Sequence, residues 1–174
     1  MKILFKFLLT LNATSWMLVV YCMKETITIW NTPQWLFNLV LLCLPILLSW
    51  LTIALASFLG TDFIDGCQEF GLADNEFLPT YLGYFFVSVG VSDNTTMMYI
   101  YAIVFVFTFL SQTQYFNPIF LLFGYHYYHI LTERGTRVFV IVKGKVIRNK
   151  ASIKFDNLKR INDTTYIQKG GKKK

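Results

Sequence analysis

The chain has 174 residues, of which 55% are hydrophobic, 18% aromatic and only 15% charged. With a mean hydropathy of +0.47 it is too apolar for a water-soluble domain of this length, so a bilayer is expected to supply the apolar surroundings. Residues 1–131 hold three Lys/Arg against seven Asp/Glu, a net of −4; residues 132–174 hold thirteen against three, a net of +10, which makes the whole chain +6.

The first predicted span runs over about residues 3–22. Lys2 and Lys6 before an apolar run, with Ala13 and Ser15 at signal-peptidase spacing, imitate a cleavable leader. The run continues through Trp16 to Cys22, which favours an uncleaved helix. A connector with Lys24, Glu25 and the turn-prone Asn31-Thr-Pro33 leads to a second span over about 36–59. Its twenty-four residues rise roughly 36 Å, enough for a hydrocarbon core of about 30 Å. Ala56 and Gly60, four apart, are a candidate small-residue pair for close helix packing.

Thr61–Glu76 contains Asp62, Asp65, Glu69, Asp74 and Glu76 and no basic residue, and is expected to be a solvated loop. The third span, about 77–91, rises only about 22 Å, with Pro79 best placed in its first turn. A re-entrant segment is the alternative, but it would separate the basic N-terminus from the basic tail across the membrane. Ser92–Thr96, rich in helix-capping residues, then forces an antiparallel hairpin with the fourth span, about 97–115. Tyr115-Phe-Asn-Pro118 ends that helix, and the aromatic-dense 119–129 segment suits the headgroup level.

Beyond this elbow, alternation and turn residues predict strands over Tyr125–Leu131, Thr136–Val142 and Val146–Arg148, a β-meander, with Ser152–Phe155 as a possible addition. Arg137–Val142 is apolar on both faces and is expected to need cover from the membrane surface or another subunit. The terminal 169–174 segment has nothing to bury and is expected to be disordered.

Catalytic chemistry finds no support. Apart from Lys6 near the start of the first, the predicted spans hold no Asp, Glu, Lys or Arg for an ion relay. Their serines have no base in the same span. Cys22, Cys43 and Cys67 lack metal-type spacing. His126 and His129 would share a helix face but lie on opposite faces of a strand, where interfacial hydrogen bonding is the commoner role than metal binding or pH sensing. Gln112, Gln114 and Asn117 fit either a pore mouth or hydrogen bonds between helices, the latter being commoner. The tail's charge is accounted for by topology and anionic lipid; a partner surface is the functional alternative.

The stretch Ser111-Gln-Thr-Gln-Tyr-Phe-Asn-Pro-Ile-Phe-Leu-Leu-Phe-Gly-Tyr-His-Tyr-Tyr128, followed by Arg137-Val-Phe-Val-Ile-Val142, resembles KwaA, the membrane-subunit family of the Kiwa anti-phage defence system. The resemblance implies a homo-oligomeric inner-membrane component that responds to phage infection and works with KwaB, a cytosolic DNA-binding protein. It implies no catalytic residue and no cofactor.

The resulting expectation is a mainly α protein. A four-helix transmembrane region over 1–118 is followed by an aromatic elbow and cytosolic β-meander module over 119–168. Both termini are expected in the cytoplasm. The expected function is a non-enzymatic sensor and scaffold that recruits the effector, so that nucleic acid is reached only through this partner; a small oligomeric pore is the alternative. From charge alone, Asp62, Asp65, Glu69, Asp74 and Glu76 of the acidic segment are candidate partner contacts, with Arg134, Arg137, Lys143, Lys145 and Arg148 of the tail. The two sets are expected to face one another or to bracket the partner.

Overall fold

The computed structural model of the protein describes residues 2–26, 33–64, 66–111, 116–144, 146 and 157–168. Among these residues, five α-helices, α1 (Lys2–Lys24), α2 (Gln34–Leu55), α3 (Leu78–Gly90), α4 (Asn94–Ser111) and α5 (Pro118–Leu122), accompany a six-stranded sheet. Its strands are β1 (Thr61–Asp62), β2 (Glu69–Leu72), β3 (Tyr125–Leu131), β4 (Arg137–Lys143), β5 (Leu158–Arg160) and β6 (Thr165–Gln168).

Helix α1 is the centre of the helical region: half of its most apolar stretch is buried, against 6% for α4. Small and hydroxyl side chains allow this. Thr10, Ala13, Thr14 and Ser15 are all buried, and three of their hydroxyls donate back to carbonyls of the same helix, as in Thr14 Oγ1 to Thr10 O at 2.9 Å. Such back-bonding satisfies the polar groups and lets neighbouring helices approach closely. α2 and α4 instead turn large apolar side chains outward, including Trp50, Leu47, Phe107 and Leu110.

The helices alternate in direction. Tyr21 near the end of α1 donates to Asn94 Oδ1 at the start of α4, 2.8 Å away. Lys24 Nζ reaches the carbonyl of Val91 just beyond α3. At the other end of α1, Phe5 and Leu9 pack with Ala56 and Leu59, which follow α2, and Lys6 Nζ lies 4.6 Å above the Phe109 ring near the end of α4. Asp93 caps α4 by accepting from the amides of Thr95 and Thr96. A hydrogen bond from the Thr96 hydroxyl, together with those from the two amides, favours its ionised form and holds its carboxyl below the usual range.

Among the described residues, three helical segments are long and apolar enough to cross a membrane: Ile3–Lys24, Gln34–Phe58 and Asn94–Ser111. The third expected span is present as α3, with Pro79 in its first turn, but has only 13 residues. The expected Ala56/Gly60 packing pair does not form. α2 tightens into a 3-10 turn at Ala56–Phe58, and a Cβ on Gly60 would meet nothing within 4 Å.

The sheet order is β1-β5-β6-β4-β3-β2, with β4 and β6 parallel and every other pair antiparallel. The β3–β4 hairpin forms where alternation placed it. The meander does not, because the second neighbour of β4 is the parallel β6. Of the expected third strand, Val146 is not in a strand and 147–148 lie outside the described residues, as does Ser152–Phe155.

The acidic 61–76 segment is likewise no plain solvated loop. It supplies both edge strands, β1 at one side of the sheet and β2 at the other, and the chain between them crosses the sheet. Ile64, Cys67 and Phe70 pack there against Tyr128, Ile130, Val138 and Val140. The opposite face, with Tyr127, Phe139, Ile141 and Ile167, rests on Phe5, Leu9, Ala56 and Leu59 at the helix ends and on Phe116 and Phe120. The two apolar faces of β4 are therefore both covered within one chain.

Candidate interaction surface on the sheet

Register brings the first group of candidate residues together. Glu69, Leu131 and Arg137 stand side by side on β2, β3 and β4, and the exposed Arg134 lies in the turn between β3 and β4. Glu69, His129 and Arg137 border a groove of about 550 Å³ over this end of the sheet. Lys143 is six residues further along β4, about 20 Å away at strand rise, with its Nζ 5.7 Å from the Tyr125 ring centroid. It does not join the group. Asp65, Lys145 and Arg148 lie outside the described residues.

A second group surrounds β1. Asp62 Oδ2 is 3.7 Å from Arg160 Nη1, and Nη2 of the same guanidinium donates to Asp163 at 2.8 Å. Asp62, Asp163 and Arg134 border a cleft of about 270 Å³ with Thr132, Thr136 and Tyr166. Acidic segment and basic tail meet here through Arg160, which was not among the candidates.

Asp74 and Glu76 have a different role. Asp74 Oδ1 accepts from the amide of Tyr127 at 2.7 Å while Oδ2 faces His126 Nδ1 at 2.6 Å. Glu76 Oε2 lies 2.9 Å from His129 Nε2. The two histidines do sit on opposite faces of a strand, yet each is held by a carboxylate from the segment leading into α3. A carboxylate accepts, so the facing ring nitrogen carries a proton in each pair. The Asp74–His126 pair is shielded, with side-chain exposures of 14% and 22%; the Glu76–His129 pair is open and carries correspondingly little energy. Among the described residues no cluster of three His, Cys, Asp or Glu is placed to hold a metal ion.

Asn117 takes the hydrogen-bonding role, 2% exposed and bonded to side chains of other elements; Gln112 and Gln114 lie outside the described residues. Its Oδ1 accepts from the amide of Ile119 at 2.9 Å and caps α5. Tyr81 on α3 donates to the carbonyl of Phe116 at 3.1 Å, and the Phe116 ring meets Tyr127 and Phe139 edge-on at 5.1 and 4.9 Å. The elbow is fixed to helices and sheet alike.

An apolar helical region carrying a membrane-type surface, fused to a mixed sheet with a charged outer rim, defines the class: a membrane-associated protein of helices and sheet. Residues 5–167 match the family model described as anti-phage protein KwaA, and the chain belongs to that family. No curated protein and no solved structure matches it.

Proposed function

We propose that the chain is the membrane-embedded, non-enzymatic platform of an anti-phage defence system, which senses infection at the inner membrane and recruits a cytosolic effector protein. In this reading α1 to α4 all cross the bilayer, the sheet and both termini lie in the cytoplasm, and several copies assemble. Nucleic acid is contacted only by the effector, a KwaB-like protein. α3, at about 20 Å of rise, is shorter than the hydrocarbon core and crosses by local thinning of the bilayer.

The observation that carries this reading is the seating of the sheet directly on the helix ends, through Phe5, Leu9, Ala56 and Leu59. Any rearrangement of the helices is delivered to a surface whose far rim holds Glu69, Arg134 and Arg137. A pore is less well supported, since the outward side chains of α4 include Met98, Ile103, Val106 and Phe107, and a polar stripe is what conduction requires.

The test is co-purification of the effector with the full chain from the native host in mild detergent. Replacing Asp62, Asp65 and Glu69 together by Asn, Asn and Gln is expected to leave insertion and oligomer mass unchanged and to weaken recruitment. Exposed charge pairs contribute about 0–1 kcal/mol each and are screened by salt, so the loss is greatest at low ionic strength. Unchanged recovery at low salt would remove these acids from the interface.

A further inference from the structure

One set of buried polar groups belongs neither to the rim nor to simple helix packing. Asn12 on α1, Ser49 on α2, Asn117 in the elbow and Tyr127 on β3 are each no more than 2% exposed. Asn12 Nδ2 and Asn117 Nδ2 both donate to Ser49 Oγ at 3.0 Å, and that hydroxyl donates to the carbonyl of Pro45 at 2.7 Å. Ser49 Oγ also lies 3.1 Å from Asn12 Oδ1, so its one proton has two acceptors within reach while both carboxamides converge on it. Tyr127 closes on one residue: its hydroxyl accepts from the Asn117 amide at 3.0 Å and donates to the Asn117 carbonyl at 2.9 Å. From Tyr127 the path continues along one residue of backbone, because its amide donates to Asp74, which holds His126.

We infer that this chain of bonds is the coupling element between the helical region and the cytosolic sheet: a shift of α2 against α1 is passed through Asn117 and Tyr127 to the Asp74–His126 edge. The links from Asn12 to the Tyr127 hydroxyl are away from water, where an unmet donor or acceptor is far more unfavourable than a hydrogen bond is favourable. Both carboxamides converge on the one Ser49 hydroxyl and the Asn117 amide is met by the Tyr127 hydroxyl, so movement of one partner leaves a vacancy that movement of the next can fill. The elements coupled are also the right ones. α1 and α2 form a contact between helices with membrane-type surfaces, and Asp74 lies between β2, at the rim, and α3. The inference deepens the platform reading by naming how the membrane side acts on the cytosolic side, and it rests on that reading for the location of the two sides.

The test is hydrogen exchange on the full chain in lipid nanodiscs. Ser49→Ala removes the shared hydroxyl while keeping the small side chain. Exchange in peptides covering 116–119 and 126–128 is expected to rise by roughly two- to tenfold, the range of one net hydrogen bond. The β5–β6 pair, Leu158–Gln168, is expected to stay unchanged. Ser49→Thr, which keeps the hydroxyl, is expected to restore the original rates.

A second measurement guards against general loosening. If the path is one unit, the combined Ser49→Ala and Tyr127→Phe variant unfolds at a temperature close to that of the worse single variant. Exchange confined to α1 and α2, a uniform rise over the whole sheet, or additive unfolding shifts would each overturn the coupling. Effector recovery is scored separately. Normal recovery with exchange confined to the helices rejects the coupling and leaves the platform standing; coupled exchange with no effector bound in any variant rejects the platform instead.

Discussion

Tyr127 shows how much a single hydroxyl can hold. It meets both main-chain groups of Asn117, and desolvation pushes its phenol far above the ordinary tyrosine range, helped by the charge of Asp74 and opposed by the Asn117 bond. A phenol raised in the folded state contributes stability that is complete below the unfolded value near 10 and is lost as pH rises above it, so no acidic or neutral titration is expected from this residue. Tyr127→Phe leaves the Asn117 amide unmet, while the Asn117 carbonyl keeps the bond it accepts from the Phe120 amide at 3.0 Å, and is expected to destabilise the fold by about 1–3 kcal/mol, read from denaturant unfolding in detergent; a change below about 0.5 kcal/mol would mean that water replaces the hydroxyl. Little of this was legible in the sequence. The acids and cations of the rim are visible as charge, whereas Asp74 and His126 are 52 residues apart and meet only because β2 pairs with β3 in one particular register. Periodicity reports which side chains share a face, not which strand will lie alongside.

At the scale of elements, the parts that could be read were those whose own residues suffice. The β3–β4 hairpin has alternating or β-branched strands and the turn Thr132-Glu-Arg-Gly135, with Gly135 at φ +78°. Helices α1, α2 and α4 have stretches long and apolar enough to cross a membrane. β1 and β2 were missed because their residues carry acids and a glycine, a composition that favours loops, and tertiary pairing decided otherwise. The join between α5 and β3 offers a clean measurement of turn chemistry. Gly124 has φ +73°, its carbonyl accepts from the amide of Gly144 at 3.0 Å, and a Cβ there would meet nothing within 4 Å. Gly124→Ala therefore adds backbone strain without a clash and is expected to lower stability by roughly 1–2 kcal/mol, seen as a lower denaturation midpoint at unchanged oligomer mass. A larger loss would mean that the turn is also packed against the bilayer or a neighbouring copy.

At the scale of the whole molecule, the sequence separated a membrane region from a tail, and the structure joins them. The segment between α2 and α3 contributes both sheet edges, and the helix ends floor the sheet, so neither part is complete alone. This bears on how the proposed four-crossing topology is tested. A reporter inserted in Gly66–Ala73 would break the strap across the sheet and report on a damaged protein, so single cysteines are the better probe. Glu133, exposed in the β3–β4 turn, marks the sheet side. Asn94 marks the far side, because Tyr21 at the distal end of α1 bonds to it. If α3 crosses, Glu133→Cys is labelled by a membrane-impermeant thiol reagent only after the inner membrane is opened, while Asn94→Cys is labelled from the periplasm in intact cells. Were α3 re-entrant, Asn94 would return to the side of Glu133, and the Tyr21–Asn94 and Lys24–Val91 contacts would both have to break, which needs far more than exposed loops rearranging. Equal labelling of the two cysteines by the same treatment would reject the four-crossing topology and, with it, the cytoplasmic placement of both termini.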